Sequence, residues 1–405
     1  EIKDDLSLSY AMNRLLQGDV GSGKTIIGVL ASAIAVSNNA QVAIMAPTEI
    51  LSKQHYRSFK NLADHAQMSC ALLTGGMPAR NRKKIRTGLE NGNIDIIVGT
   101  HALIQKDIKF NSLGLVIIDE QHRFGVNQRN SLLQKGFNPH LLSMTATPIP
   151  RTLAITYHGD MDLSIIDELP KNRIPITTKM VNENRLEKIY SFMIDEVKAG
   201  RQCIIVYPLI EETEKSDLTA AVEMYDKLKK YTFKDIKVGL VHGRLDKDSK
   251  DKIMSDFLKN KINIIISTTV IEVGIDVPNA TVMLIEHADR FGLTQLHQLR
   301  GRVGRGNKKS YCILVQRNFN EKSNKRLKIM ESTSDGFIIS DEDLKMRGPG
   351  EFFGIKQSGF FNFKIASITS DGDLISHARN AAEEYLNDDL KRLSVKNKII
   401  YEKLM

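Results

Sequence analysis

Cysteine is scarce in this chain, with three in 405 residues at positions 70, 203 and 312. No two of them form a C-x-x-C pair, so neither a disulfide framework nor a zinc site is indicated. Cys203 and Cys312 stand in apolar strand-like runs, QCIIVYP and YCILV, where a thiol acts as a small core side chain. Long apolar runs are missing as well. No stretch reaches the ~18–20 residues of a membrane span, and no charged-then-apolar leader opens the chain. The expectation is therefore no membrane and a reducing, cytoplasmic setting. The sequence has no repeat at a fixed period and no low-complexity tract. Acidic residues are outnumbered, 48 against 57 Lys and Arg, which leaves a net charge of +9. That balance suits a polyanionic partner, and equally well does no more than keep a protein soluble. The chain opens on Glu1 rather than Met, from which a further segment upstream is expected.

What is present is a globular α/β pattern. At 41% hydrophobic, 405 residues suffice for two or three domains with their own cores. Short apolar runs alternate with amphipathic segments, as in parallel sheets covered by helices on both faces. A first series of strands is expected in RLLQ, QVAIMAP, IDIIVGT, LGLVIIDE and HLLSMTATP, and a second in QCIIVYP, VGLVHG, INIIIST, ATVMLIEH and SYCILVQ. The polar, proline-bearing stretch DELPKNRIPITTK lies between them. The reading is a first lobe over 1–160, a linker over 161–180, a second lobe over 181–318 and a mainly helical region over 319–405. That last region is charge-balanced, so the basic surplus belongs to the lobes.

The first lobe carries GDVGSGKT, a match to G-x-x-x-x-G-K-[ST] placed after a short strand and before a helical run, the context such a phosphate loop requires. Gly18, Asp19, Val20, Gly21, Ser22 and Gly23 would turn backbone N–H groups toward phosphate oxygens, Lys24 would reach the β- and γ-phosphates of ATP, and Thr25 would offer its hydroxyl to Mg²⁺. A phosphate cradle alone hydrolyses nothing. LVIIDEQH supplies the acidic element, with Asp119 placed to hold magnesium through water and Glu120 to polarise an attacking water. Thr48, Thr100 and His101 end two further strands and suit hydrogen bonds to a sugar-phosphate backbone, although Thr48 reads at least as well as a helix N-cap. Thr145 and Thr147 in SMTATP either relay between sites or simply end a strand.

The second lobe has no G-x-x-x-x-G-K of its own. It has QLHQLRGRVGRG, and residues 289–309 hold six Lys and Arg against one Asp, with only Asp289 and Glu286 nearby to neutralise them. If the lobes face each other, Arg302 and Arg305 can point at a phosphate held by Lys24 and stabilise the transferring phosphoryl group, with Gln298 orienting the water. Arg300 reads as a basic helix face toward nucleic acid or solvent. In TTVIEVGIDVPNA, Thr268 and Thr269 are candidates for backbone phosphates, and Gly274 and Asp276 for the nucleotide; capping groups of a loop read equally well. His242 and Arg244 in VHGR are another possible backbone contact, or an ordinary surface loop.

Together, QGDVGSGKT, DEQHRFGVNQR, TATPIPRTLA, TTVIEVGIDVPNA and QLHQLRGRVGRG resemble the superfamily-two helicases, and within them the RecG branch-migration family. The resemblance spans essentially the whole chain. It implies two RecA-like P-loop NTPase lobes, a monomeric ATP- and Mg²⁺-dependent motor, and branched duplex DNA, meaning forks and Holliday junctions, as partner. It also implies that Thr48, Thr100, His101, Thr268 and Thr269 touch the DNA backbone. The stretch 326–366, with DLKMRGPGEFFGIKQSG, resembles that family's translocation hairpin, its coupling positions matched by Arg326, Arg347 and Gln357. Without the family, Arg347 reads as a turn residue and Gln357 as an exposed loop residue. The related transcription-repair coupling translocases share the hairpin, but Ser22 and Gln121 stand where those tend to have Phe and Glu. The family's N-terminal wedge and glutamine motif have no counterpart here, so a motor fragment is expected. The alternatives are a nucleic-acid-binding module that has lost catalysis, which no substitution in the motifs supports, and an RNA-directed helicase.

Overall fold

The structure is a computed structural model that describes residues 1–147, 149–150, 153, 161–168, 170, 173–208, 214–268 and 277–348, with five isolated positions beyond 373. Residues 1–148 and 164–339 form one compact unit, and 149–163 with 340–405 form another. Within the larger unit the two expected lobes are two separate sheets.

The first sheet comprises β1 (Asn13–Gly18), β2 (Gln41–Met45), β3 (Cys70–Leu73), β4 (Ile96–Gly99), β5 (Leu113–Asp119), β6 (His140–Thr145) and β7 (Asp162–Ile166), in the order β3-β4-β2-β5-β6-β1-β7. The pairs from β3 through to β1 are parallel. The second comprises β8 (Thr177–Asn182), β9 (Gln202–Val206), β10 (Val238–Val241), β11 (Ile264–Ser267), β12 (Ala280–Ile285) and β13 (Tyr311–Gln316), in the order β10-β11-β9-β12-β13-β8, parallel throughout. Parallel strands covered on both faces need apolar side chains on both, which is why VAIM, LVII, III and VMLI read as unbroken runs. Val42 to Met45 and Val282 to Ile285 have no exposed surface at all. Because neighbouring strands run the same way, their C-terminal ends share one edge of each sheet, and the motifs gather there.

All ten expected strands are present. Three more were not anticipated: β3, β7 and β8. Each is an edge strand and only partly buried: β7 and β8 are interrupted by polar residues, while β3 is an apolar run of four residues, CALL, too short to stand out. The stretch 161–180, expected as a plain connection, thus carries two of them, β7 on the first sheet and the start of β8 on the second. Cys203 and Cys312 are fully buried and unpaired, as their runs implied.

The lobes repeat one local device. The first residue of β2, Gln41, is buried, and its amide donates to the carbonyls of Leu89 and Ile94 at 3.0 and 2.8 Å while its oxygen accepts from the N–H groups of Asn111 and Ser112. Gln202, first in β9, likewise donates to Phe257 and Ile262 at 2.6 and 2.7 Å and accepts from Asn279. A buried amide is tolerated because its hydrogen bonds are made, and here it ties the loops at the N-terminal edge.

Helix Lys24–Ser37 crosses the first sheet beside helix Glu49–His65. Gly28 lets the ring of Phe59 lie against the first helix, where an added Cβ would already be in van der Waals contact at 3.5 Å. Phe59 has no exposed surface and sits in the core with Ile44, Ile117 and Met144. Phe59→Ala is expected to cost about 3–5 kcal/mol of unfolding free energy by urea titration. A loss under ~1 kcal/mol would show that this helix pair does not close the core.

Candidate active site between the two sheets

The phosphate loop follows β1 and turns on two left-handed glycines, Gly21 at φ +76° and Gly23 at φ +102°. Gly23 is the N-cap of helix Lys24–Ser37 and offers no side-chain cap, an end that suits an anion. Ser22 sits within the loop with a buried hydroxyl that finds no partner. Lys24 folds back so that its ammonium donates to the carbonyls of Gly18 and Asp19, both at 2.8 Å. Burial lowers the Lys24 pKa, with Arg305 adding to the effect and Asp119, Glu120 and Asp19 opposing it.

The parallel register sets Asp119 on β5 beside Met144 on β6, and Thr145 beside Gln17 on β1. Burial pushes the Asp119 carboxyl up, but His55, which meets Oδ2 at 2.7 Å, and Lys24 hold it below the ordinary value, so it stays anionic. Glu120 takes a left-handed backbone, φ 52°, and its carboxylate accepts from the N–H of Ala146 at 3.4 Å. Its pKa is raised, by burial first and by Asp119 second, against the pull of Ala146, Arg302 and Lys24. Two adjacent carboxyls pushed apart in this way suit a charge-holding role for Asp119 and a proton-accepting one for Glu120. His122, 3.7 Å from Glu120, is pushed down to about 4 by burial and by Arg123, so it is neutral and forms no ion pair at neutral pH.

The second lobe closes the site. Helix Leu293–Arg300 and the turn after it bring four groups to the P-loop and its neighbours. His297 Nε2 lies 2.6 Å from Asp19 Oδ1, and the amide of Gln298 donates to Thr147 Oγ1 at 2.6 Å. Arg302, 5% exposed, acts on Glu120, and Arg305 acts on Lys24. Gly301 packs directly under the Val20 side chain, since a Cβ there would stand only 2.9 Å from it. Arg173 also reaches in, donating to the Val20 carbonyl. A second seam joins the lobes between helices Glu49–His65 and Lys247–Leu258, where Lys53 pairs with Asp251 at 3.1 Å beside a groove of about 360 Å³. None of the groove's lining residues belongs to the P-loop, β5 or the arginine turn.

Several expectations change. Asp289 and Glu286 do not serve the arginine motif: Asp289 accepts from the Arg317 N–H at 2.9 Å, and Glu286 pairs with the Arg317 guanidinium at 3.2 Å. Arg300 faces neither solvent nor nucleic acid. It is 3% exposed, and its guanidinium donates to the carbonyls of Met330, Thr333 and Ser334, closing the C-terminal end of helix Glu321–Ser332. Gln298 commits its amide nitrogen to Thr147 rather than leaving it open. Thr48 follows its N-cap alternative, accepting from the Leu51 N–H at 3.2 Å at the start of helix Glu49–His65. Thr145 bonds Thr147 within the same turn.

The remaining candidates lie where their strands end. Thr100 and Thr268 are buried with hydroxyls lacking partners, while His101 and Arg244 are exposed. His242 is half-buried, its pKa lowered by burial and by Lys250 and Arg244. Arg326 donates to the carbonyls of Asp289 and Phe291 at 2.8 and 2.9 Å, and Arg347 pairs with Asp343 at 2.8 Å in the last turn of helix Gly336–Arg347. Thr269, Gly274, Asp276 and Gln357 lie outside the described residues. No cluster of His, Cys, Asp and Glu among the described residues is arranged to hold a metal by itself.

His55, His297 and Arg173 escaped the sequence reading. His55 stands mid-helix with no distinguishing spacing, and the partner of His297 is 278 residues away. His55→Ala leaves the buried Asp119 carboxylate without its closest donor. A loss of about 1–3 kcal/mol in urea unfolding is expected, and most of it should vanish in an Asp119→Asn background. Full additivity of the two substitutions would mean that the pair is not coupled.

Comparison with known proteins agrees with this architecture. Residues 6–155 match the DEAD/DEAH box helicase family, 184–307 the helicase conserved C-terminal domain, and 333–405 the C-terminal part of domain 3 of the ATP-dependent DNA helicase RecG. The RecG helicases of Synechocystis and Aquifex aeolicus are each 51% identical, over 96% and 98% of this chain and 47% and 52% of their own lengths. That of Bacillus subtilis is 50% identical over 96% of this chain and 57% of its own. This chain thus spans about half the length of the curated relatives it matches. A solved structure of RecG bound to a three-way DNA junction superposes with a TM-score of 0.78 at 47% identity, over 93% of this chain and 49% of that one. Dbp5 of S. cerevisiae, solved with RNA and ADP BeF3, shares the fold alone, at 17% identity and a TM-score of 0.59 over 94% of this chain and 92% of its own. Two RecA-like parallel α/β lobes, an assembled P-loop and half-identity along nearly its entire length place this chain in the RecG family of helicases.

Proposed function

We propose that this chain is the motor of a RecG-type enzyme, a monomeric cytoplasmic ATP hydrolase that drives itself along duplex DNA and remodels forks and Holliday junctions. The observation that supports this most is the docking of helix Leu293–Arg300 on the first lobe, His297 on Asp19 and Gln298 on Thr147 both at 2.6 Å, with Arg302 and Arg305 in the turn that follows. The loop N–H groups other than those of Val20 and Ser22, which donate to Asp19, and the Lys24 ammonium would hold the phosphates of ATP. Thr25 and the anionic Asp119 would hold Mg²⁺, which when bound neutralises phosphate charge. Glu120, its affinity for a proton raised, would accept the proton of the attacking water. Gln298 and Thr147, already bonded across the lobes, would register closure. The two guanidiniums would stabilise charge on the transferring group, an effect worth about 10³–10⁵ in rate for arginine fingers.

Thr48, Thr100, His101, His242, Arg244, Thr268 and Thr269 would follow the DNA backbone along the two sheet edges, with Gly274 and Asp276 completing the nucleotide pocket. Arg326, Arg347 and Gln357 would pass lobe movement to the C-terminal hairpin. The three-way junction in the solved RecG structure supports branched DNA as the substrate.

ATP turnover by the chain, with and without forked duplex or RNA of the same sequence, tests this. Stimulation by the fork that disappears in Lys24→Ala is expected. Equal stimulation by RNA would overturn the substrate, and turnover indifferent to Lys24 would overturn the site. Arg305→Ala is expected to leave nucleotide affinity within about twofold while kcat falls by at least ~10²-fold, since a guanidinium acting on the transition state contributes little to ground-state binding. Parallel losses in both quantities would contradict that role.

A further inference from the structure

The P-loop and the arginine helix share one short bond whose chemistry can be worked out atom by atom. His297 Nε2 stands 2.6 Å from Asp19 Oδ1, and both residues are buried, at 4% and 8% exposure. The other ring nitrogen, Nδ1, lies 3.0 Å from Arg300 Nη2. A guanidinium nitrogen only donates, so Nδ1 holds a lone pair and the ring proton sits on Nε2, aimed at Asp19. His297 therefore donates through Nε2 to the Asp19 carboxylate. The carboxyl is held below its ordinary value by His297, by the Val20 N–H and by Arg173, against the upward push of burial.

Both ends of this bond are fixed. Arg300 is anchored on three carbonyls, so it cannot swing away from the ring. Asp19 Oδ1 also accepts from the Val20 N–H at 2.5 Å, and Val20 packs against Gly301. The ring is clamped between the P-loop and the helix that leads into Arg302 and Arg305.

We propose that Asp19 and His297 form a positioning pair that docks the arginine turn on the P-loop, so that Arg302 and Arg305 are aligned before phosphoryl transfer begins. Neither residue touches the reacting atoms. Their contribution is pre-organisation: a guanidinium displaced by even ~1 Å loses much of its effect on the transition state. The proposal rests on the motor reading given above.

Two substitutions of the same residue separate this role from mere packing. His297→Asn keeps an acceptor near the place of Nδ1 for Arg300 but cannot reach Asp19. His297→Gln places a donor near Nε2 and restores the bond to Asp19. The expected result for Asn is a fall in kcat of about tenfold or more, with affinity for a fluorescent ADP analogue within ~2-fold, and recovery in Gln to within ~3-fold of the parent. Asp19→Asn combined with His297→Asn should be no worse than the more damaging single variant. Normal turnover in Asn, damage in Gln equal to that in Asn, or independent losses in the double variant would each overturn the pairing. Should the parent chain hydrolyse no ATP, the motor reading fails by itself. The pair is then judged by urea unfolding of the parent, Asp19→Asn, His297→Asn and the double variant, where strict additivity would refute it.

Discussion

A carboxylate can stay ionised inside this protein only where a donor meets it, and the seam between the two sheets is organised around that requirement. Asp119 and Asp19 are both buried there, and each has an imidazole nitrogen within 2.7 Å, from His55 in one case and His297 in the other. One imidazole comes from the same lobe and one from the opposite lobe. The first arrangement keeps a carboxylate available at the end of β5 whatever the lobes do. The second exists only while they touch.

Positive charge at the seam obeys the same logic. Lys24 and Arg305 repel each other, as do Arg173 and Arg305, and burial disfavours the lysine and Arg173 further. Such a cluster is costly unless anions share the space, and Asp19, Asp119 and Glu120 partly fill that role. A polyphosphate between the lobes would complete the compensation, because the loop already offers an uncapped helix start and a lysine to it. In the motor proposed above, binding and lobe contact would thereby be linked through one electrostatic balance.

Much of this was legible in the residues. Ten strands were readable because parallel sheets buried on both faces require unbroken apolar runs, and the P-loop and the DE pair because their backbones demand glycine and their chemistry demands Lys and adjacent acids. The edge strands β3, β7 and β8 were not, since a half-exposed edge imposes no such pattern. Arg300 was misread for a related reason. Arg300, which staples three carbonyls, and Arg305, whose Nε donates to the Gly301 carbonyl at 3.1 Å, look alike in QLRGRVGR, and only the direction of each side chain separates them. Thr48 shows the opposite case: its N-cap chemistry is local, so three residues of sequence were enough to see it.

The amino-acid order by itself determined which segments become strands and helices, where a phosphate loop forms and which acidic strand end accompanies it, because each depends on periodicity or on neighbours within a few residues. Tertiary structure alone decided which charges meet. Asp19 and His297 are 278 residues apart, His55 reaches Asp119 from a different element, and Glu286 spends its charge on Arg317 instead of the arginine motif. Coulombic and hydrogen-bond energies depend on distance and direction at the ångström scale, and those are properties of two packed sheets that no local spacing encodes.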